Sequence, residues 1–411
     1  MLILDYKLRV NQSQQSAIDE AIRTTQFIRN KALRLWMDEH GVGQYDLNQY
    51  SAQLAKEYPF AARLNSMARQ AAAERAWQAV SRFYKNCREK KPGKKGYPHF
   101  QKANRSAEYK TSGWRLEPDG THLTFTDGMG IGTLPLMGAN PTRKKARPIA
   151  TFPLSQIKRV RLVKRADGYY CQFAIQAERT IDHQPTDQVI GIDVGLKAFY
   201  TDSNGQSVGN PRFLRRAEKK LKGLHRRVSR KKKGSKNRKK AIKRLAKGYL
   251  KVSRQRKDFA CQHARALIQS HDLVAYEDLK IANLVKNHHL AKSISDVSWG
   301  LFLSWVRYYG QAHGVSIVAV PAHFTTQDCS GCGYRVKKSL SMRTHTCPSC
   351  GLVLDRDHNA ALNILAAALL LIDQDRTAGQ AETGRSSKRR NASGQRTSGG
   401  RKRLRSVKLA G

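Results

Sequence analysis

The sequence predicts a multidomain α/β protein. A small antiparallel β-barrel carries a helical insert, and a second unit alternates short apolar strands with helices around a cysteine-rich insert. Three observations predict this. Period-two alternation in residues 1–10 returns between 106 and 177, with helical periodicity in between. From Val189 onward, short apolar runs are separated by long helical stretches. Near the end, two Cys-x-x-Cys pairs interrupt that alternation.

In chain order, Leu2, Leu4, Tyr6, Leu8 and Val10 mark a first strand. Asn11 or Ser13 can cap the helix that follows. Leu33, Trp36 and Met37, then Trp77, Val80 and Tyr84, recur at helical spacing, which predicts two or three helices up to about Cys87. The stretch 90–102 is a basic turn region carrying Tyr97, His99 and Phe100, rings able to stack on bases or to pack into a core. Asp119-Gly120, Asp127-Gly128 and Asp167-Gly168 punctuate the barrel strands, and Cys171, Phe173 and Ile175 share one strand face. The polar stretch 178–187, with Pro185, is a domain boundary.

In the second unit, Val189 to Ser203 reads as a hairpin, Leu273 to Glu277 and Gly314 to Val320 as strands, and Leu301 to Tyr309 and Asp357 to Leu371 as helices. Trp299 reads as a core ring. Between the hairpin and the next strand, residues 212–257 hold 23 Lys or Arg and one acid, on two helices broken at Gly234-Ser235. After Arg376 the tail is Gly/Ser/Arg-rich and is expected to be disordered.

The whole chain has 411 residues, 76 Lys plus Arg and 31 Asp plus Glu, a formal net charge of +45. Such a charge repels itself, and a polyanion is its natural partner; nucleic acid fits because each neutralised phosphate releases a counterion. The 40% hydrophobic content allows real cores, which excludes a merely disordered basic chain. Met1-Leu-Ile-Leu-Asp-Tyr does not resemble a secretory signal, and the mostly apolar run 360–372 is too short to span a bilayer, which needs about 20 residues. Four of the seven cysteines form the two pairs, a usage that points to metal in a reducing compartment rather than to disulfides.

Two constellations carry chemistry. Cys329, Cys332, Cys347 and Cys350 are spaced for one tetrahedral Zn²⁺, with glycines beside them for tight knuckles. Four protein ligands leave no open position, so this zinc is structural. The second constellation is acidic: Asp193 inside an apolar strand, Glu277 at a strand end, and Asp355 and Asp357 at the start of the last helix. Converging acids of this kind suit hard divalent cations in a two-metal Mg²⁺ site. Glu277-Asp278 also reads as an ordinary strand end. At the helix start one Asp suffices as ligand: Asp357 is favoured, with Asp355 as cap. His358 is either a phosphate contact or a bystander.

The stretch Gly191-Ile-Asp-Val-Gly-Leu-Lys, the segment Tyr276-Glu-Asp-Leu, the cysteine pairs and Asp-Arg-Asp-x-Asn-Ala-Ala-x-Asn-Ile together resemble the TnpB family of insertion sequences, relatives of type V CRISPR effectors. The segments 96–100 and 293–300 share the resemblance. The resemblance implies an RNase H-like (RuvC) nuclease at 187–325 and 353–374, with a zinc ribbon inserted at 326–352. It implies a wedge barrel at 1–10 and 106–182, a helical recognition insert at 11–105, and the basic tail at 375–411. It further implies a Mg²⁺-dependent RNA-guided DNA endonuclease, with a guide RNA from the transposon end and a double-stranded target beside a short flanking motif, working in the bacterial cytoplasm near the nucleoid. Catalytic acids would be Asp193, Glu277 and Asp357, with two Mg²⁺ and one Zn²⁺ and no small-molecule cofactor. Arg226, Arg227, Arg230, Lys231, Lys232, Lys233, Arg238, Lys239, Lys240 and Arg244 would grip nucleic acid by charge. The alternatives are a strand-transferring transposase, a non-cleaving RNA-guided repressor and an RNA-binding scaffold.

Overall fold

A computed structural model describes residues 1–139, 149–339 and 341–391, with side chains described as far as 374. Two compact units emerge from it. One comprises Met1–Arg179 with Lys219–Lys251; the other comprises Thr180–Glu218 with Val252–Gly411.

The first unit opens with β1 (Leu2–Leu8) and four helices: α1 (Gln12–Asp38), α2 (Gln44–Glu57), the single turn α3 (Pro59–Ala62) and α4 (Ser66–Arg88). The extra turn forms because Pro59 occupies the first helical position, where a missing N–H costs nothing. Asn11 caps α1 reciprocally, its Oδ1 accepting from the Gln14 N–H at 2.8 Å while Gln14 Oε1 accepts from the Asn11 N–H at 3.1 Å. Strands β2 (Ser106–Tyr109), β3 (Trp114–Leu116), β4 (His122–Phe125), β5 (Gly132–Met137), β6 (Ile157–Arg165) and β7 (Gly168–Ile175) follow. They pair antiparallel in the order β2-β6-β7-β1-β5-β4-β3, with Leu4 opposite Phe173 and Leu8 opposite Leu136.

The expected closed barrel is instead a sheet with an unpaired seam. Its edge strands β2 and β3 have one neighbour each, yet only four residues join them. That link spans at most about 18 Å, so the sheet must curl to bring its two edges close. Short strands of four and three residues offer little for pairing across the seam. Its core holds Tyr109, Leu123 and Phe173 together with Ile18 and Ile28 of α1. A second cluster, Leu33, Leu47 and Val80 with three alanines, joins α1, α2 and α4.

In the second unit, β8 (Val189–Asp193), β9 (Ala198–Asp202) and β10 (Ser207–Gly209) form an antiparallel meander. Helices α5 (Phe213–Ser229) and α6 (Lys236–Ser270) follow in the chain, with their stretch Lys219–Lys251 belonging to the first unit; then come β11 (Leu273–Glu277), the turn α7 (Ile281–Leu284), α8 (Ala291–Val297), α9 (Trp299–His313) and β12 (Ser316–Val320). A cysteine-bearing hairpin, β13 (Thr344–Thr346) and β14 (Val353–Asp355), leads directly into α10 (Arg356–Asn391). The main sheet runs β10-β9-β8-β11-β12, with β8, β11 and β12 parallel. Its core sets Ile192, Phe199, Tyr276, Phe302 and Val306 together, and Trp299 is buried with them as expected.

Gly191 lets α10 lie against β8, since a Cβ there would strike the Ala361 carbonyl. Helix α10 is described as far as Asn391. No proline interrupts residues 375–391, which hold four arginines and two alanines, good helix formers. Residues 392–411 lie outside the described residues. Among the described residues no helix is long and apolar enough to cross a membrane.

Candidate functional site

Two parallel strands and one helix position the acids. Asp193 is the last residue of β8 and Glu277 the last of β11. Ile192 sits opposite Tyr276, so continuing the register puts the two acids side by side at the carboxyl edge of the sheet. That edge is where open α/β sheets bind ligands. Asp357 arrives from the first turn of α10. Burial and the charges of Glu277 and Asp357 push the Asp193 carboxyl well above the usual range; Arg356 pulls it back and Asp355 adds to the rise. Three elements thus bring acidic side chains to one half-buried place, an arrangement that favours a cation.

The neighbours of these acids are specific. Burial raises Glu277, while the Thr325 hydroxyl, which donates to Glu277 Oε1, lowers it. The Arg356 guanidinium donates to Asp357 Oδ1 from Nε at 3.1 Å and from Nη2 at 3.0 Å. Asp357 Oδ2 lies on the Gly195 side, 3.9 Å from where a Cβ would stand. Asp355 Oδ1 accepts from the Asp357 N–H at 2.8 Å and the His358 N–H at 3.4 Å, so Asp355 caps α10. His358 Nε2 lies 3.2 Å from the Ser203 carbonyl and its ring packs at Gly205, a bystander's position. Trp299 donates from Nε1 to the Gly195 carbonyl at 3.3 Å, holding the turn just past Asp193.

The sulfur cluster is tighter. Among the described residues, the four cysteines are the group whose ligand atoms all fall within 4.8 Å of one another; the carboxylates are not gathered so closely. Cys329 and Cys350 sulfurs are 3.6 Å apart, as are those of Cys332 and Cys347. Tetrahedral zinc with Zn–S of about 2.3 Å requires sulfurs about 3.8 Å apart, so the four residues fit the ion. Both knuckles use the same turn. Gly333 N–H donates to the Cys329 carbonyl at 2.9 Å, and Gly351 N–H to the Cys347 carbonyl at 3.0 Å. Their φ values of +77° and +74° explain the glycines. Burial raises the Cys347 thiol, but the Cys350 and Ser349 N–H groups and the Cys332 and Cys350 sulfurs bring it down to about 7.

Residues without an assigned role in the sequence reading link cluster and acids. Asn359 is fully buried; its Oδ1 accepts from the Ser330 N–H at 3.0 Å and its Nδ2 donates to the Asp328 carbonyl at 2.8 Å. Asn363, one turn on, donates to the Thr325 and Asp328 carbonyls at 2.8 and 2.7 Å. Their i, i+4 spacing inside the last motif was the available signal. Arg356 stands in the same motif, whereas Thr325 had no signal. Asp296, buried in α8, accepts from the Leu214 and Arg215 N–H groups at 2.8 and 3.1 Å and from Arg256 at 2.9 Å, anchoring the start of α5 and the middle of α6.

The ten basic residues lie on α5, α6 and their connection; all are exposed except half-buried Arg238. The two helices meet where Leu221 packs on Gly248, and where His225 Nε2 lies 2.8 Å from the Tyr249 hydroxyl.

An insertion-sequence family model, OrfB_IS605, described as "Probable transposase", matches residues 172–288, and "Cas12f1-like, TNB domain" matches 299–364. A protein of Streptomyces pristinaespiralis named "Putative RNA-guided DNA endonuclease" is 32% identical over 376 residues, covering 89% of this chain and 88% of its own. This chain belongs to the TnpB family. Two other relatives of this TnpB-family chain span wide distances. "Putative RNA-guided DNA endonuclease InsQ" of Escherichia coli K12 is 24% identical, covering 70% of this chain and 72% of that protein. "TnpB-like protein L79" of Acanthamoeba polyphaga mimivirus is 28% identical over 193 residues, which is 44% of this chain and 37% of that protein. The first TnpB-family match takes in Asp193 and Glu277, and the second takes in the four cysteines and Asp357.

Proposed function

We propose that this chain is an RNA-guided DNA endonuclease of an insertion sequence, cutting at Asp193, Glu277 and Asp357. The observation that carries the reading is the meeting of three half-buried carboxylates at the carboxyl edge of β8 and β11, where burial and then the charges of Glu277 and Asp357 raise the Asp193 carboxyl. The relatives' names supply the guided reaction. In this reading residues 187–325 and 353–374 are the RuvC-like nuclease, the segment 326–352 its zinc ribbon, the curled sheet a wedge and the helices of 11–105 the recognition insert.

Asp193, Glu277 and Asp357 would hold two Mg²⁺ ions, since hard carboxylate oxygens are the donor set such ions take. Bound Mg²⁺ supplies Lewis acidity toward a phosphodiester and a water of lowered pKa beside it. The chain's own residues prepare that place. Arg356 fixes one oxygen of Asp357. Thr325 orients Glu277, and Trp299 holds the turn that carries Asp193. A structural zinc at the four cysteines would brace the start of α10. The exposed lysines and arginines of 226–244 would hold guide and target by their phosphates, leaving the choice of sequence to base pairing.

The test is cleavage by purified protein supplied with RNA copied from the element's end. Wild type should cut duplex DNA at the guide-matched sequence beside one short motif. Asp193→Ala should lose at least about 10³-fold in rate, because metal catalysis is worth several kcal/mol. Joining of element ends without guided cuts would establish strand transfer instead. Guided binding unchanged in Asp193→Ala, with no cutting by wild type, would establish a repressor.

A further inference from the structure

The helical part of the first unit carries an aromatic surface that the nuclease reading does not use. Trp36 of α1 meets Tyr84 of α4 at 5.9 Å between ring centroids and Tyr97 at 5.8 Å; Tyr97 in turn meets Phe83 at 5.3 Å. Trp36, Phe83, Tyr84 and Tyr97 form a chain of ring contacts, yet Tyr84 and Tyr97 remain 46% and 48% exposed; Phe100, three residues after Tyr97, is 44% exposed. Large rings left this open in a cluster mark a binding surface more often than a core.

The polar handles are already spent on the scaffold. Trp36 Nε1 donates to the Tyr84 hydroxyl at 3.1 Å. The strap 97–101 is clamped to α1: Asn30 Oδ1 accepts from the Gln101 N–H at 2.9 Å, and Asn30 Nδ2 donates to the Gln101 carbonyl at 3.0 Å. Asn86 Nδ2 donates to the Lys95 carbonyl at 2.9 Å and fixes the turn before the strap. The rings are therefore held in place before any partner arrives, which lowers the entropy cost of binding.

Charge identifies the partner. Residues 82–105 contain nine Lys or Arg and one acid, Glu89, which lies against Lys85 and Lys91. Arg34 stands over the Phe100 ring at 6.0 Å. Exposed rings interleaved with cations are the pattern that takes bases by stacking and phosphates by charge, and a paired duplex hides the base faces such rings need.

We propose that the surface formed by Trp36, Tyr84, Tyr97 and Phe100 is a stacking platform for unpaired RNA. RNA is assigned because a guide must be held with its bases free before any target arrives, so the inference rests on the function proposed above.

Photocrosslinking tests it. Full-length protein would be irradiated with a 4-thiouridine RNA decamer, with a 4-thiothymidine DNA decamer, or with a thiouridine-bearing RNA duplex of equal length, and the adducts mapped by mass spectrometry. The single-stranded RNA should label the peptide containing Tyr97 and Phe100, at least fivefold above DNA and duplex. Tyr97→Leu with Phe100→Leu should cut that label about 5- to 150-fold, the range expected for losing one stacked base. Tyr97→Trp, which keeps a stacking face, should retain it. Adducts confined to 226–244, equal labelling by DNA or duplex, or equal loss in Tyr97→Trp would each overturn the platform. Guided cleavage by wild type without a platform adduct sinks this inference alone; an RNA adduct without guided cleavage sinks the nuclease reading alone.

Discussion

Single residues in this chain divide into charges the fold satisfies and charges it stores. Glu108 of β2 is satisfied. Only 3% exposed, it accepts from Arg75 at 3.1 Å, Arg159 at 2.5 Å and Arg161 at 2.7 Å. Burial raises its carboxyl, but the arginines outweigh that and hold it at about 2, against 4.5 unperturbed. A lowered carboxyl stabilises the fold above the unfolded value and loses that contribution as pH falls through the folded one. About 3 kcal/mol should therefore drain away between pH 4.5 and about 2. Glu108→Gln should destabilise the protein by about 3–5 kcal/mol at pH 7 and flatten that acid limb, as read by denaturant titration at several pH values. Asp193 is the opposite case. Its carboxyl is raised, so ionisation at neutral pH works against the fold, and Asp193→Asn should melt higher than wild type in EDTA. With about 2–4 °C expected per kcal/mol, calorimetry resolves the difference; an unchanged or lower melting temperature would contradict the buried like-charge picture.

Among the elements, the cysteine hairpin and α10 act together. Strand β14 ends at Asp355, which caps the helix, and Asn359 and Asn363 hold the backbone from Thr325 to Ser330 that leads into the first knuckle. The same loop supplies the Thr325 hydroxyl to Glu277. Disturbing the sulfur cluster should therefore move two of the three acids. Cys347→Ser should lower bound zinc from one per chain to near zero by elemental analysis. Cleavage in excess Mg²⁺ should fall about 10–100-fold, as for other changes to the groups that orient metal ligands. Full activity without zinc would show that hairpin and carboxylates are mechanically independent. The helices of 11–88 were legible from periodicity in Leu33 and Val80, which are buried, but not in Tyr84, which shares their spacing and is exposed. Periodicity reports a face; whether that face is covered depends on which chain segment folds over it.

For the molecule as a whole, the net charge of +45 governs association more than fold. Nucleic-acid affinity should fall steeply with salt, by about 0.7–0.9 decades per decade of salt for each phosphate neutralised. Replacing Arg226, Arg227 and Arg230 by Gln should reduce the magnitude of that slope by about 2–3, measured by fluorescence anisotropy from 50 to 500 mM salt. An unchanged slope would mean that these exposed side chains meet no phosphate.

Local chemistry by itself determined much of this protein. The cysteine spacing, the turn glycines, the capping Asn11 and the acids breaking apolar strands are short-range patterns, and each dictates geometry within a few residues. Tertiary structure alone decided the rest. The sheet leaves a seam open, its edge strands β2 and β3 pairing on one side only. Asp355 caps α10 while Asp357 faces the carboxylates, because helix geometry sends neighbouring side chains in different directions. Thr325, Asn359 and Asp296 find partners 29 to 82 positions away, distances over which a one-dimensional pattern carries no signal and only packing selects the contact.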